Sequence, residues 1–444
     1  MTKQALANQT LEKNVMRKVM LRLLPFLVLA YFFCYLDRVN LGFAALTMNK
    51  DIGLTATAFG WGAGIFFLGY FLCEVPSNLA MQKFGARIWI ARIMISWGIL
   101  SACMAFVEGT VSFVLMRFLL GLAEAGFFPG IILYLTYWFP ANYRALIVSR
   151  FMFAIPVSLL IGSPLSGWIL TFSNNWMGIE GWKWLFILEG IPSVILGIAT
   201  LFYLTDKPID AKWLEPSERV WLQTQIDEEK ASVESVRKYS LLESLVHPRV
   251  LVLGFVYLTM QIGIYGINMW LPQILKNIGG LSTLQIGFIA AIPFTAAGIG
   301  MLLWGISSDR NRERKWHLTV ALILGAVGLL GSSFFNGNTV MTIVFLSISS
   351  IGLYAAMPIF WTIPPMFLTG TAAAGGIALI NSIGNLGGFA GPFAVGWIKD
   401  STGNFIYGLV FLGLCVFGGC FVAYVICQLV QKTAQKIQEI SKGA

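Results

Sequence analysis

Charge is scarce in this chain. Asp, Glu, Lys and Arg make up only 11% of its 444 residues, hydrophobic residues make up 57%, and the mean hydropathy is +0.75. That balance excludes a soluble globular domain, whose charged fraction runs near about 25%. Histidine is nearly absent, with only His247 and His317, both at the edges of apolar runs. The six cysteines (Cys34, Cys73, Cys103, Cys415, Cys420 and Cys427) all fall inside apolar runs. They offer neither a disulfide framework nor a metal-ligand spacing, and read as small apolar packers. With no histidine in a span and no nucleophile elbow, a membrane-embedded enzyme lacks its parts. A sensor would need an appended signalling domain, and the sequence carries none. No metal or cofactor is expected. The basic start (Lys13, Arg17, Lys18, Arg22) has no small-residue cleavage site after a short apolar core, so it does not read as a signal peptide.

Long apolar runs are what the chain has. Twelve are long enough to cross a ~30 Å hydrocarbon core: about 23–45, 58–80, 87–107, 110–136, 145–170, 184–204, 250–273, 284–306, 316–335, 339–363, 373–398 and 405–429. Backbone in lipid must satisfy its own hydrogen bonds, and the runs are solid rather than alternating, so these are helices and not barrel strands. Of 30 Lys and Arg, about 24 fall at the N-terminus, the C-terminal tail and the loops near 83, 144, 212 and 312. Lys50, Lys183, Lys276 and Lys399 fall on the other side, and Arg38 and Arg117 lie within spans. That asymmetry places both termini in the cytoplasm of a plasma (inner) membrane protein. The net charge of +9 therefore reflects topology and predicts no nucleic-acid partner.

The only long polar stretch, 205–248, divides the spans six and six. The expected organisation is a cytoplasmic segment 1–22, a six-helix bundle 23–204, a linker 205–248 with a short amphipathic helix starting at Ser217, a second bundle 249–430 and a tail 431–444. The halves resemble each other at a shift of about 230 residues. Tyr31, Tyr35 and Arg38 make one helical stripe in span 1, and Gln261, Tyr265 and Asn268 make the same stripe in span 7. Gly162, Gly167 and Trp168 recur as Gly391, Gly396 and Trp397, and Lys83 as Arg310. Parallel repeats of this kind place a substrate near the midplane between halves that rock by alternating access.

Four charges lie inside the spans: Asp37 and Arg38 in the first, Arg117 and Glu124 in the fourth. Each costs roughly 2.5–3.5 kcal/mol at a helix centre, so such residues pair or line a route for ions and substrate. At 1.5 Å per residue, Asp37 and Arg117 fall at similar depth and are expected to pair, with Glu124 about 10 Å further toward the cytoplasm. Gly121 between them would admit another helix closely. With both acids ionised the four charges sum to zero. With both protonated the site is +2 and attracts an anion, whose carboxylate matches the planar arginine fork. Tyr70, Asn381 and Asn385 join the stripe residues as candidate substrate contacts, Asn385 slightly ahead of Asn381. Ser347 and Tyr354 mirror Arg117 and Glu124 in span 10, and Trp361 reads as packing or cavity wall. Glu74 and Glu189 read as structural.

Several segments carry a family resemblance. GISSDR (Gly305 to Arg310) resembles the signature loop of the major facilitator superfamily. The first-half copy is degenerate, with Gln82 where an Asp is usual and Asn78 where a Gly is usual, while Lys83, Gly85 and Arg87 fit. CYLDRVNLGFAAL (Cys34 to Leu46), RFLLGLAEAGFFPG (Arg117 to Gly130), YWFP (Tyr137 to Pro140) and GWKWLFILEGIPS (Gly181 to Ser193) resemble the anion:cation symporter family. The resemblance implies a twelve-helix importer of an organic anion such as a sugar acid, tartrate, phthalate, hydroxyphenylacetate or allantoate, driven by protons; the oligomeric state is open, with monomer the default. It further implies that Asp37 and Glu124 carry the protons and that Arg38 and Arg117 handle the anion. The closest rival is drug or metabolite efflux by antiport. Antiporters of that superfamily often carry a GPxxGG-like run in span 5, which Gly162-Ser163-Pro164-Leu165-Ser166-Gly167 matches poorly.

Overall fold

The computed structural model describes residues 3–235, 247–311, 313–335, 337–364 and 370–443. The described residues form helices connected by short turns. They are α1 (Lys3–Asp51), α2 (Ala56–Phe84), α3 (Ala86–Cys103), α4 (Thr110–Glu124), α5 (Phe127–Thr136), α6 (Ala141–Met152), α7 (Ala154–Phe172) and α8 (Gly181–Tyr203). After the linker helix α9 (Pro216–Ser235) come α10 (Pro248–Ile278), α11 (Thr283–Asn311), α12 (Lys315–Phe334), α13 (Thr339–Phe360), α14 (Gly370–Thr402) and α15 (Ile406–Gly443). Among the described residues, eleven helical stretches are long and apolar enough to cross a bilayer. The twelfth expected span is α14, where Asn381, Asn385 and a series of glycines dilute the apolarity. The basic segment before residue 23 is no separate element, since α1 runs through it unbroken. Residues 236–246 of the expected linker lie outside the described residues.

Two expected spans are each built from two helices, for a local reason. Span 4 breaks after Glu124 into α4 and α5, and span 5 breaks at Phe153 into α6 and α7. Pro129 and Pro156 follow these breaks. Each lacks the N–H that would bond back four residues, and its ring clashes with that carbonyl. At the first break Gly126 takes φ +87, and a Cβ there would lie 2.3 Å from Ser77 Oγ.

Helices on either side of the linker pack mainly among themselves, and three seams join the two halves. We call the end that carries residues 83–87 and 311–315 the terminal end, and its opposite the distal end. The antiparallel helices α2 and α14 meet from Ala56 beside Gly396 and Gly60 beside Pro392, through Gly64 beside Phe389, to Glu74 beside Asn381. α7 meets α11 where Gly167 faces Gly287, and α1 meets α10 where Gly42 faces Asn268 and Met269. All three glycine contacts lie toward the distal end and leave no room for a side chain, so the backbones touch. The distal end is therefore closed. At the terminal end a cavity of ≈ 480 Å³ separates α6, α7, α11 and α13.

Candidate functional site

The centre of the molecule holds a narrow polar cavity of ≈ 40 Å³ shared by the two halves. Tyr31, Tyr35 and Arg38 reach it from α1, Tyr70 from α2, Gln261 and Tyr265 from α10, and Asn381 and Asn385 from α14. Eight of the candidate residues are thus brought together, because each set lies on one helical stripe facing the partner half. Met152, Ile155, Met357 and Trp361 line both this cavity and the larger one. The polar centre therefore leads toward the terminal end.

Arg38 is the cation of this cavity. Its Nε donates to Glu124 Oε1 at 2.7 Å, Nη2 donates to the same oxygen, and Nη1 donates to Tyr265 OH at 3.2 Å. Cys34 Sγ also donates to Glu124 Oε1, at 3.2 Å. Glu124 is only 1% exposed, so the pair is buried, and removing either partner would strand a charge. One arginine thus bridges a carboxylate of the first half and a hydroxyl of the second.

The expected Asp37–Arg117 pair is not present. Asp37 instead accepts from Trp97 Nε1 (2.8 Å), Ser101 Oγ (2.8 Å), Ser193 Oγ (3.3 Å) and Asn40 Nδ2 (3.4 Å). It points between α1, α3 and α8, not into the cavity. The reason is geometric: successive helix residues are about 100° apart, so Asp37 and Arg38 cannot face the same way. Arg117 is 1% exposed and does not line the cavity. Its Nε donates to Gly62 O at 3.3 Å, and its Nη2 has no hydrogen-bond partner. Its Cζ lies 4.8 Å from the centroid of the Phe66 ring, and that of Arg38 lies 5.6 Å away. Both guanidiniums thus pack near the Phe66 ring. The depth estimate could not see which way its helix turned Arg117. Gly121 behaves as expected, with its helix against the Phe66 carbonyl.

Asn268 also misses the cavity. Its amide and the Tyr354 hydroxyl exchange hydrogen bonds at 3.1 Å. Ser347 bonds its own helix at Ile343 O. Conversely, Tyr257 and Phe67 line the cavity without having been singled out. Tyr257 was legible, since it precedes Gln261 by four and Tyr265 by eight. Glu74 was read as structural, yet its Oε1 accepts from Asn381 Nδ2 at 2.7 Å across the two halves. Its spacing of four from Tyr70 was the overlooked signal. Glu189 is buried near Asp37 and Asn40, away from the cavity lining, with Ser166 Oγ donating to Oε1 at 3.2 Å. No group of histidine, cysteine and acidic residues able to hold a metal ion occurs among the described residues.

Comparison with known proteins gives the chain its context. The sequence signature of the Major Facilitator Superfamily matches residues 27–392. A protein of Agrobacterium vitis, provisionally named a tartrate transporter, is 50% identical over 435 residues, covering 98% of this chain and 99% of the relative. A quinolone resistance transporter of Acinetobacter baumannii is 42% identical over 430 residues, covering 97% and 98%. Among solved structures, the inward open conformation of the xylose transporter XylE from E. coli superposes with a TM-score of 0.74 at 14% identity, covering 91% of this chain and 96% of that one. The helices, the central cavity between two halves and these matches agree: the chain belongs to the Major Facilitator Superfamily, as an integral multi-pass membrane transporter and not an enzyme.

Proposed function

We propose that the protein imports an organic carboxylate by proton symport, with Arg38 as the carboxylate receptor and Glu124 as the proton carrier that gates it. The observation that carries this reading is the buried Arg38–Glu124 pair on the wall of the central cavity. While Glu124 is ionised, it occupies two donors of the guanidinium fork. Protonation neutralises Glu124 and frees those donors for a substrate carboxylate, which two parallel N–H bonds recognise best. Proton and anion then load together, since each makes the other's binding favourable. Arg117, packed against Phe66, keeps the local field positive, and Asp37 is the candidate second proton site. The skew of Lys and Arg toward the terminal end assigns that end to the cytoplasm, so the arrangement of the cavities supports an inward-facing state.

A second reading is proton-coupled efflux, favoured by the quinolone resistance transporter among the relatives. One experiment addresses both. Glu124→Gln fixes the neutral form, so the variant in proteoliposomes should exchange labelled for unlabelled acid by counterflow. It should fail to accumulate acid when a pH gradient, acid outside, is imposed. Concentrative uptake by this variant would remove Glu124 from the coupling. Proton-driven extrusion by the native protein would favour the efflux reading.

A further inference from the structure

The α2–α14 seam contains a carboxyl group that the scheme above does not use. Glu74 sits past the middle of α2 toward the terminal end and is 5% exposed. Its Oε1 takes the amide of Asn381 on the opposite half at 2.7 Å, and Asn385 approaches the same carboxyl. Its Oε2 is buried with no hydrogen-bond partner. The titratable and charged groups that face it are Tyr70 on its own helix, Tyr257 on α10 and Arg38 on α1. Arg38 is already bonded to Glu124, and no ion pair to Glu74 forms among the described residues. An ionised carboxylate here would leave one oxygen buried with no donor to it, which is costly. A neutral carboxyl places its proton on that oxygen and keeps the Asn381 bond.

Both of its asparagine partners and Tyr70 line the central cavity. Glu74 therefore lies one hydrogen bond from the route assigned to substrate, yet its bond to Asn381 spans the two halves. We propose that Glu74 is a further proton-carrying carboxyl of the transport cycle, distinct from Glu124 and Asp37, holding its proton while Asn381 is docked on it and releasing it when the two halves move apart along this seam. The inference rests on the symport reading, and it adds that this proton is distinct from the one on Glu124. It gives the otherwise bare Oε2 an occupant, and it couples protonation to the contact between halves, because an ionised Glu74 is tolerable only once the seam admits water.

The test is the number of protons carried per acid. In proteoliposomes at clamped voltage, the pH gradient that just nulls a fixed substrate gradient reports that number. Glu74→Gln should still exchange substrate by counterflow but should need a larger pH gradient to reach the null, because each acid carries one proton fewer. An unchanged null point in Glu74→Gln overturns the proposal and leaves Glu74 as an interhelical hydrogen-bond partner. Failure of the symport reading looks different: the native protein itself would show no substrate-dependent proton flux. Should Glu74→Gln be inactive, infrared difference spectra across a pH step decide the matter on Glu74→Asp. A protonated-carboxyl band that is shifted in Glu74→Asp supports the assignment, and the same unshifted band in both proteins overturns it.

Discussion

Asp400 offers a direct handle on the closed distal end. It lies next to the end of α14, and its carboxylate receives the first two N–H groups of α2, Ala56 N at 3.1 Å and Thr57 N at 2.7 Å. Thr55 caps the same helix by accepting from Ala58 N. A helix N-terminus has unsatisfied donors and a partial positive charge, so an anion there is favourable. Since α2 and α14 belong to opposite halves, this bond exists only while the distal end is closed. Its removal should therefore shift a conformational equilibrium and leave the fold intact. Hydrogen bonds to a charged group are worth about 1.5–3 kcal/mol when sheltered, but an exposed anion at a helix start contributes only about 0.3–1 kcal/mol. Asp400 is exposed, so we take about 1 kcal/mol. That is roughly a fivefold change in the closed-to-open ratio, given tenfold per ~1.4 kcal/mol. Asp400→Ala should raise the distal-open population by this factor, read by pulsed electron resonance between labels on the distal ends of α2 and α11. Partial burial would raise the Asp400 carboxyl, but hydrogen bonds from Thr57 and Ala56 outweigh it and hold the group below its ordinary value of 3.8. The bias is therefore complete above that value and is lost only as pH falls through the lowered one. The native distance distribution should therefore not change with pH near neutrality. An unchanged distribution in Asp400→Ala would refute the argument that this cap holds the distal end shut.

Two further outcomes follow from the same geometry. Arg38→Lys should reduce uptake at least about tenfold at matched expression, because a point charge cannot hold Glu124 through two donors and Tyr265 through a third; near-native uptake would show that only the charge matters. Gly287→Leu places a Cβ 2.8 Å from Ser163 O and 3.0 Å from Gly167 Cα, both backbone atoms. It should express normally yet neither transport nor close at the distal end, and closure seen with the same distal labels would disprove the role of this seam.

The sequence alone determined the twelve spans, the central placement of Tyr31, Tyr35, Arg38, Gln261 and Tyr265, and the superfamily. These depend on local quantities: apolar length against bilayer thickness, and the helical period that puts residues four apart on one face. The breaks near Pro129 and Pro156 were not legible, since Pro76, Pro164, Pro192 and Pro272 lie inside helices that continue through them. Only the tertiary structure decided which charges meet. The rotation of α4 about its own axis turned Arg117 away from the cavity, against Phe66, and left Glu124 for Arg38, while the neighbouring Asp37 faced α3 and α8. Pairings such as Glu74 with Asn381, 307 residues apart, depend on which helices are neighbours and at what height they cross. Helix period fixes a face but not its partner, so that choice is made when the glycine seams bring the halves together.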